Sequence, residues 1–95
     1  MLKELLNIIQ DRRTRRPKDS YTVTLLDGGR DAILQKIGEE AVEVILAGKG
    51  QGNQRIVEET ADLLYHILVL LVDAQLELGD VEAELRRRHV LSRKP

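Results

Sequence analysis

Apolar residues recur along this chain at helical spacing, and no stretch shows the alternation with a period of two that is typical of a strand. Leu2, Leu5, Leu6 and Ile9 occupy positions i, i+3, i+4 and i+7. This spacing predicts a first amphipathic helix that continues to about Arg13. A proline follows four residues later, and because proline cannot continue a helix interior, the helix is expected to end before it.

The remaining pattern predicts four more helices. Ser20 is expected to cap a short second helix, and three glycines within residues 48–52 are expected to form a flexible connector after the third. Asn53 is the expected cap of the fourth helix and Asp80 that of the last, with Gly79 between the two helices. The expected bounds of these four helices are 21–26, 31–47, 53–78 and 81–89, and the tail 92–95 is expected to fray. The predicted fold class is therefore an all-α bundle of four to five helices.

Length and composition narrow the class of protein. The 95 residues suit one domain, residues 1–95. The absence of Cys excludes disulfides and thiolate metal ligands, and two Tyr with no Phe or Trp disfavour single-stranded nucleic acid as a partner. The longest apolar run, Leu63 to Val72, has ten residues, whereas a membrane span needs about 20. We expect a cytoplasmic domain without a membrane partner.

The charges are segregated along the chain. Residues 12–18 and 86–94 hold ten of the fifteen basic residues, and between Arg30 and Leu85 there are four basic and twelve acidic residues. An acidic middle with basic ends disfavours duplex nucleic acid, which needs a continuous basic surface. It fits a site that gathers divalent cations beside basic segments able to reach an anion. Simple solubility of charged helices explains the same counts, and charge alone leaves both interpretations open.

The fourth helix also carries information about assembly. From Leu63 to Val72 every position except Tyr65 and His66 is aliphatic, so apolar side chains point in all directions. A helix that is apolar all round must be buried all round. The simplest way to bury it is a second copy of the chain, which predicts a bundle completed by intertwined dimerisation. The alternative is a monomeric four-helix bundle with this helix inserted deeply.

Two carboxylate motifs stand on consecutive helices: Glu39-Glu40-x-x-Glu43 and Glu58-Glu59-x-x-Asp62. On a helical wheel Glu40 borders the apolar stripe of the third helix. Glu59 and Asp62 share a face of the fourth helix that borders packing surface. Antiparallel helices would bring the pairs together, and inward carboxylates repel one another unless a cation neutralises them. Oxygen ligands without Cys suit Mg²⁺ or Mn²⁺, although carboxylates on solvated faces remain the alternative.

Three segments together resemble a known family. They are Ser20-Tyr21-Thr22-x-x-Leu25-Leu26, Lys36-x-Gly38-Glu39-Glu40-x-x-Glu43 and Glu58-Glu59-x-x-Asp62-Leu63-Leu64-Tyr65-His66. They resemble phosphoribosyl-ATP pyrophosphohydrolase, a member of the all-α nucleotide pyrophosphohydrolases. The carboxylates identify only this superfamily, whereas the first segment and the Asp62–His66 run narrow the resemblance to the histidine-pathway enzyme. The similarity extends from about Leu2 to Arg88.

The resemblance implies cleavage of phosphoribosyl-ATP to phosphoribosyl-AMP and pyrophosphate, the second step of histidine biosynthesis. It implies Mg²⁺ as cofactor, a small-molecule nucleotide as substrate, and a homodimer with intertwined helices or a tetramer. The family's metal ligands correspond here to Glu40, Glu43, Glu59 and Asp62. Glu39 would be a further ligand or the base that accepts a proton from the attacking water.

The sequence defines the roles of the polar residues outside the carboxylate motifs less closely. Lys36 is expected to pair with Glu40 at i, i+4, which is compatible with touching a phosphate. Most of the basic residues 12–18 are expected to be solvated, with Arg12 and Arg13 as candidates to bind the triphosphate. Ser20 and Tyr21 are expected to serve as cap and packing residues, and the resemblance makes them candidates to line the ribose-phosphate region. His66 is expected either to orient a carboxylate or to lie hydrogen-bonded at an interface, and the basic residues 86–88 to offset the helix dipole.

Two other functions stay open at this stage. A related all-α hydrolase that clears ordinary or damaged nucleoside triphosphates would carry the same four carboxylates, so only substrate preference separates it. A helical dimer that acts as an adapter or antitoxin would carry them merely as solvated charges. The effect of Mg²⁺ on thermal stability distinguishes the adapter from both enzymes, because millimolar Mg²⁺ stabilises the protein only if it has a metal site.

Overall fold

The computed structural model describes residues 1–91, with side chains as far as His89, and this part of the chain contains helices and no strand. The all-α class predicted from the sequence is therefore confirmed. Five α-helices are followed by one π-helical turn. They are α1 Leu2–Arg15, α2 Tyr21–Gly28, α3 Arg30–Gly50, α4 Asn53–Asp73 and α5 Leu78–Arg86, with the turn at Arg87–Leu91. The expectation for the tail 92–95 falls outside the described residues.

Helices α3 and α4 form an antiparallel hairpin. Their open ends are joined by an ion pair in which Arg30 Nε lies 2.7 Å from Asp73 Oδ2. The predicted glycine-rich connector is wrong, because residues 48–50 continue α3 and only Gln51 and Gly52 join the helices. A glycine in a helix interior costs about 1 kcal/mol, yet Gly48 and Gly50 are helical although both are exposed. Gly52 makes the turn because its φ of 93° lies in a region that other residues rarely adopt.

The boundary between α4 and α5 also differs from the prediction. Helix α4 ends at Asp73, five residues before the expected end at 78, and Gln75 turns the chain with a left-handed φ of 59°. The cap of α5 is Glu77, whose backbone N–H donates to Asp80 Oδ2 at 2.8 Å in a capping box. Asp80 is thus the third residue of the helix and not its cap. The expected cap of α4, Asn53, is likewise its first residue.

Helices α1 and α2 pack beside the open end of the hairpin. Ser20 caps α2 as predicted, since its Oγ accepts the Val23 N–H at 3.3 Å. Helix α1 runs two residues beyond the predicted Arg13 and ends where Arg16 adopts a left-handed φ of 52°. The buried core combines apolar residues of α1 to α4: Leu6, Ile9, Leu25, Ile33, Leu68, Val69, Leu71 and Val72.

The closed end of the hairpin lies outside this core. No residue between 38 and 64 belongs to the core cluster or to the hydrophobics packed against it, and we call this segment the hairpin tip. The molecule is correspondingly elongated, with extents of 52 × 34 × 24 Å. Within the single chain, the second half of α4 is largely buried, whereas Leu64 remains 39% exposed. None of the helices in the described residues is long and apolar enough to cross a membrane.

Candidate active site

Three carboxylates meet where the hairpin tip joins the rest of the molecule. One oxygen from each of Glu40, Glu59 and Asp62 lies within 4.8 Å of the others. Glu59 is buried, Glu40 is half-buried and Asp62 is exposed, so this carboxylate cluster opens to solvent on the Asp62 side. The hairpin brings the two helices face to face, as the wheel positions predicted.

The other two predicted carboxylates lie beside the cluster. Glu43 is half-buried one helical turn after Glu40, and its carboxylate is not within the same mutual distance. Glu39 is exposed and accepts a hydrogen bond from Gln35 Nε2 at 3.1 Å. This bond and the nearby Lys36 lower the pKa of Glu39 below its usual value. Glu39 is therefore ionised and accessible at neutral pH.

Two cations pair with members of the carboxylate cluster. Lys36 Nζ lies 3.6 Å from Glu40 Oε1 and 3.4 Å from Glu39 Oε1, which confirms the predicted i, i+4 pair. Arg55 forms ion pairs with both Glu58 and Glu59. The sequence interpretation missed Arg55, although its spacing of three and four residues from these glutamates is the signal that finds such a pair. The buried Glu59 charge is thus compensated within its own helix.

His66 links α4 to α2. Its Nδ1 lies 2.7 Å from the Asp62 carbonyl oxygen, and its Nε2 lies 2.9 Å from the Tyr21 hydroxyl. Because a carbonyl oxygen only accepts, Nδ1 carries a proton, and in a neutral ring Nε2 accepts the Tyr21 proton. The two roles expected for His66 are to orient a carboxylate and to lie hydrogen-bonded at an interface. Its bonds are to the Asp62 backbone and to Tyr21, so it is a buried, hydrogen-bonded residue between α4 and α2, and no carboxylate of the described residues accepts from it. The link to Tyr21 has no signature in sequence spacing.

Tyr21 stands between the carboxylates and the basic segment of α1. Its ring lies 6.2 Å from that of Tyr65 and 5.8 Å from that of His66. Burial raises the pKa of Tyr21, an effect that the nearby Lys36 opposes and the charges of Glu40 and Glu39 reinforce. Burial lowers the pKa of Lys36, but attraction to Tyr21 and the contacts with Glu39 and Glu40 outweigh it and raise the value. Tyr21 is thus a neutral phenol and Lys36 a cation at neutral pH.

The basic residues divide into different roles. Arg12 lines a cleft between α1 and α2, together with the candidates Ser20 and Tyr21. Arg13 is not among the residues that line it, because Arg13 Nη1 donates to the Val72 carbonyl oxygen at 2.8 Å and ties α1 to the end of α4. The structure therefore gives Arg13 a packing role where the sequence suggested a phosphate ligand. Near the end of the chain, Arg87 and Arg88 pair with Glu84.

The carboxylate cluster fits a hard divalent cation. Its donors are all oxygens, the type that Mg²⁺ prefers, and one is exposed so that water and a phosphate can reach the site. Three carboxylates in so small a space repel one another, and a cation among them would relieve that repulsion. Glu40, Glu59 and Asp62 are the residues that would hold it. Lys36 and Arg55 reduce the repulsion in its absence.

Comparison with known proteins places this sequence in a family. The sequence model for phosphoribosyl-ATP pyrophosphohydrolase matches residues 2–89. A phosphoribosyl-ATP pyrophosphatase of Geobacter sulfurreducens is 51% identical over 88 residues, which cover 93% of this chain and 82% of that protein. Proteins of the same name from Pyrobaculum islandicum and Metallosphaera sedula are 50% and 48% identical over 88 residues, covering 93% of this chain and 94% and 95% of theirs. With nearly its whole length matched, the chain belongs to the phosphoribosyl-ATP pyrophosphohydrolase family.

Proposed function

We propose that this protein hydrolyses phosphoribosyl-ATP to phosphoribosyl-AMP and pyrophosphate, the second step of histidine biosynthesis, in the cytoplasm. The observation that carries the proposal is the convergence of Glu40, Glu59 and Asp62 from two helices of a chain that belongs to this family. Breaking a phosphoanhydride requires neutralised phosphate oxygens and a water molecule placed opposite the leaving group. The carboxylate cluster and its surroundings supply the groups for both tasks.

We assign the cofactor as Mg²⁺. Glu40, Glu59 and Asp62 would hold it, and Glu43, one turn along α3, would join them by a change of side-chain rotamer. When bound, Mg²⁺ supplies charge neutralisation for the polyphosphate and acidifies water. The donor set supports this assignment, since carboxylates alone suit a hard cation with partial hydration.

The residues around the cluster bind and orient the substrate. Lys36, held between Glu39 and Glu40, presents its ammonium to a phosphate oxygen. Glu39 is ionised and exposed beside it, so it serves as the acceptor of the proton from the attacking water. Tyr21 donates its proton to His66 and offers its oxygen lone pairs to a substrate hydroxyl.

We further propose that a second copy of the chain covers the hairpin tip and makes the working unit at least a dimer. The tip exposes large apolar side chains on both helices, with exposures of 52% for Val42, 60% for Ile45 and 62% for Val57. An apolar groove of ≈ 430 Å³ between α4 and α5 is lined in part by Leu64, at the base of the tip. Exposed apolar surface of this kind marks an interaction site. Because the carboxylate cluster lies at the base of the tip, a partner there would also enclose the site.

The decisive experiment measures pyrophosphate release from phosphoribosyl-ATP with Mg²⁺ and after chelation, with ATP and dATP as parallel substrates. We expect release from phosphoribosyl-ATP alone, and only with the metal. Release mainly from ATP and dATP would retain the site and overturn the substrate. No release from a folded dimer would favour a non-catalytic adapter, and Glu40→Gln with normal turnover at limiting Mg²⁺ would refute the ligand assignment.

A further inference from the structure

A cleft of ≈ 610 Å³ lies between the end of α1, the segment that follows it, and the first turn of α2. Its volume falls within the range of about 300–1,000 Å³ that is typical of small-molecule sites. The turn beneath it is shaped by two residues in left-handed conformations, Arg16 with φ 52° and Asp19 with φ 62°. These fold the segment so that Lys18 comes to line the cleft. The cleft is separate from the carboxylate cluster and opposite in charge.

Three cations line the cleft against two carboxylates: Arg12, Arg15 and Lys18 against Asp11 and Asp19. Asp11 contacts both arginines, with Arg15 Nε at 2.9 Å and Arg12 Nη1 at 3.9 Å. Within the described residues, the ammonium of Lys18 has no ion-pair partner, whereas Arg15 pairs with Asp11 through its Nε. One carboxylate thus orients two guanidinium groups, while the Lys18 ammonium stays available for an anion.

Tyr21 joins the cleft to the candidate active site. Tyr21 lines the cleft, and its hydroxyl oxygen lies 2.9 Å from His66 Nε2. His66 in turn holds the backbone carbonyl of Asp62, a member of the carboxylate cluster. A molecule that places one anionic group at the carboxylate cluster and another in the basic cleft would therefore pass across Tyr21. At the carboxylate cluster the anionic group would contact a bound metal cation. In the basic cleft the other anionic group would contact cationic side chains of the protein itself.

We propose that the basic cleft binds the phosphate monoester of the substrate's phosphoribosyl group, while the triphosphate lies at the carboxylate cluster. Phosphoribosyl-ATP carries such a monoester on its second ribose, and a monoester has a charge between about −1.5 and −2 at neutral pH. Arg12, Arg15 and Lys18 provide the charge and the donors to bind it. The inference rests on the proposed function and explains how the protein would select its substrate. ATP lacks this group, so the cleft would distinguish the two nucleotides.

The test compares phosphoribosyl-ATP with its analogue lacking the monoester, ribosyl-ATP, on the full-length protein with Mg²⁺. We expect Arg15→Gln and Lys18→Gln each to raise KM for phosphoribosyl-ATP about tenfold, because each removes a charge-assisted contact. Their KM for ribosyl-ATP should equal that of the unsubstituted protein, and kcat should change little. Ribose 5-phosphate should inhibit competitively, with a weaker Ki in both variants.

The matched control is Arg16→Gln. Arg16 has the same charge and lies in the same segment, but it pairs with Asp27 and does not line the cleft. It should leave KM for both substrates unchanged, and its thermal unfolding shows whether this segment tolerates substitution. Equal KM increases for both substrates, or none for either, would overturn the assignment of the monoester. Failure of the unsubstituted protein to hydrolyse phosphoribosyl-ATP would instead refute the proposed function, so the two failures are distinguishable.

Discussion

The two halves of α4 have opposite surroundings. Residues 53–62 are mostly exposed and contribute Glu59 and Asp62 to the carboxylate cluster, with Glu59 the one buried residue among them. Residues 63–73 contain Leu68, Val69, Leu71 and Val72 of the core. One continuous helix therefore belongs to the site at its beginning and to the core at its end.

This difference explains how the proposed metal ligands on the exposed half of α4 keep their positions. The core fixes the second half of α4, and the helix transmits that placement along its axis at 1.5 Å per residue. His66 marks the junction, because it is buried and bonds both the Asp62 carbonyl and Tyr21. Substitutions in the first half should therefore affect activity, and those in the second half should affect stability.

The largest effect is expected from Glu59→Gln, which keeps the shape and removes the charge. We expect kcat/KM for phosphoribosyl-ATP to fall by about 10³-fold, or about 4 kcal/mol of transition-state stabilisation, because a metal ligand is lost. The adjacent Glu58→Gln is the control, since Glu58 is exposed and lies outside the cluster. Denaturant unfolding without Mg²⁺ should place Glu59→Gln within about 1 kcal/mol of the parent, because Arg55 is exposed and keeps its ion pair with Glu58. Comparable activity losses in both variants would contradict the ligand assignment.

Val69→Ala should show the reverse pattern. The Val69 side chain is fully buried in the second half of α4. Removing two carbon atoms costs about 0.8 kcal/mol each plus a cavity term, so the free energy of unfolding should fall by about 2 kcal/mol. Turnover measured well below the melting temperature should stay within a few-fold of the parent. A large loss of kcat without loss of stability would show that the two halves are not separable in this way.

The stabilisation by added Mg²⁺ should also differ between variants in the two halves of α4. At ten times its Kd, a ligand that binds only the folded state stabilises it by about 1.4 kcal/mol. We expect that increment in the parent protein and in Val69→Ala, measured by thermal unfolding at matched ionic strength. Glu59→Gln should lose most of it. Equal stabilisation of all three proteins would indicate a nonspecific salt effect and not binding at the cluster.

The sequence predicts much of this arrangement, and its errors have physical causes. Binary patterning predicted that Glu40 and Glu59 border packing surface, and Glu40 is half-buried and Glu59 buried, because burial follows helical periodicity over long segments. Asp62, expected on the same face as Glu59, is exposed.

Patterning failed at helix ends. Residues 48–50 stay helical although they are exposed, because only Gly52 of the three glycines adopts the positive φ that makes the turn, and glycine content does not indicate which one will. Helix α4 ends just before Gln75, whose left-handed conformation is not typical of its residue type. The Tyr21–His66 bond joins residues 45 positions apart, a contact that local periodicity does not contain.

The smallest expected effect tests the junction between the halves. Burial first, and then the charges of Tyr65, Glu40 and Glu39, raise the pKa of Tyr21 against the opposing effect of Lys36. The folded state therefore holds this proton more tightly than the unfolded state. The stability that this provides is complete below the usual tyrosine pKa of about 10 and is lost as pH rises above it.

Tyr21→Phe removes the titrating group, so the unfolding midpoint of this variant should fall less steeply with pH than that of the parent between about pH 9.5 and 11. The two slopes should agree between about pH 8 and 9, where the phenol is neutral in both states. Identical slopes over the whole range would show that the Tyr21 hydroxyl is as well hydrated as in the unfolded chain, and its bond to His66 would then contribute nothing to holding the two halves of α4 in register with α2.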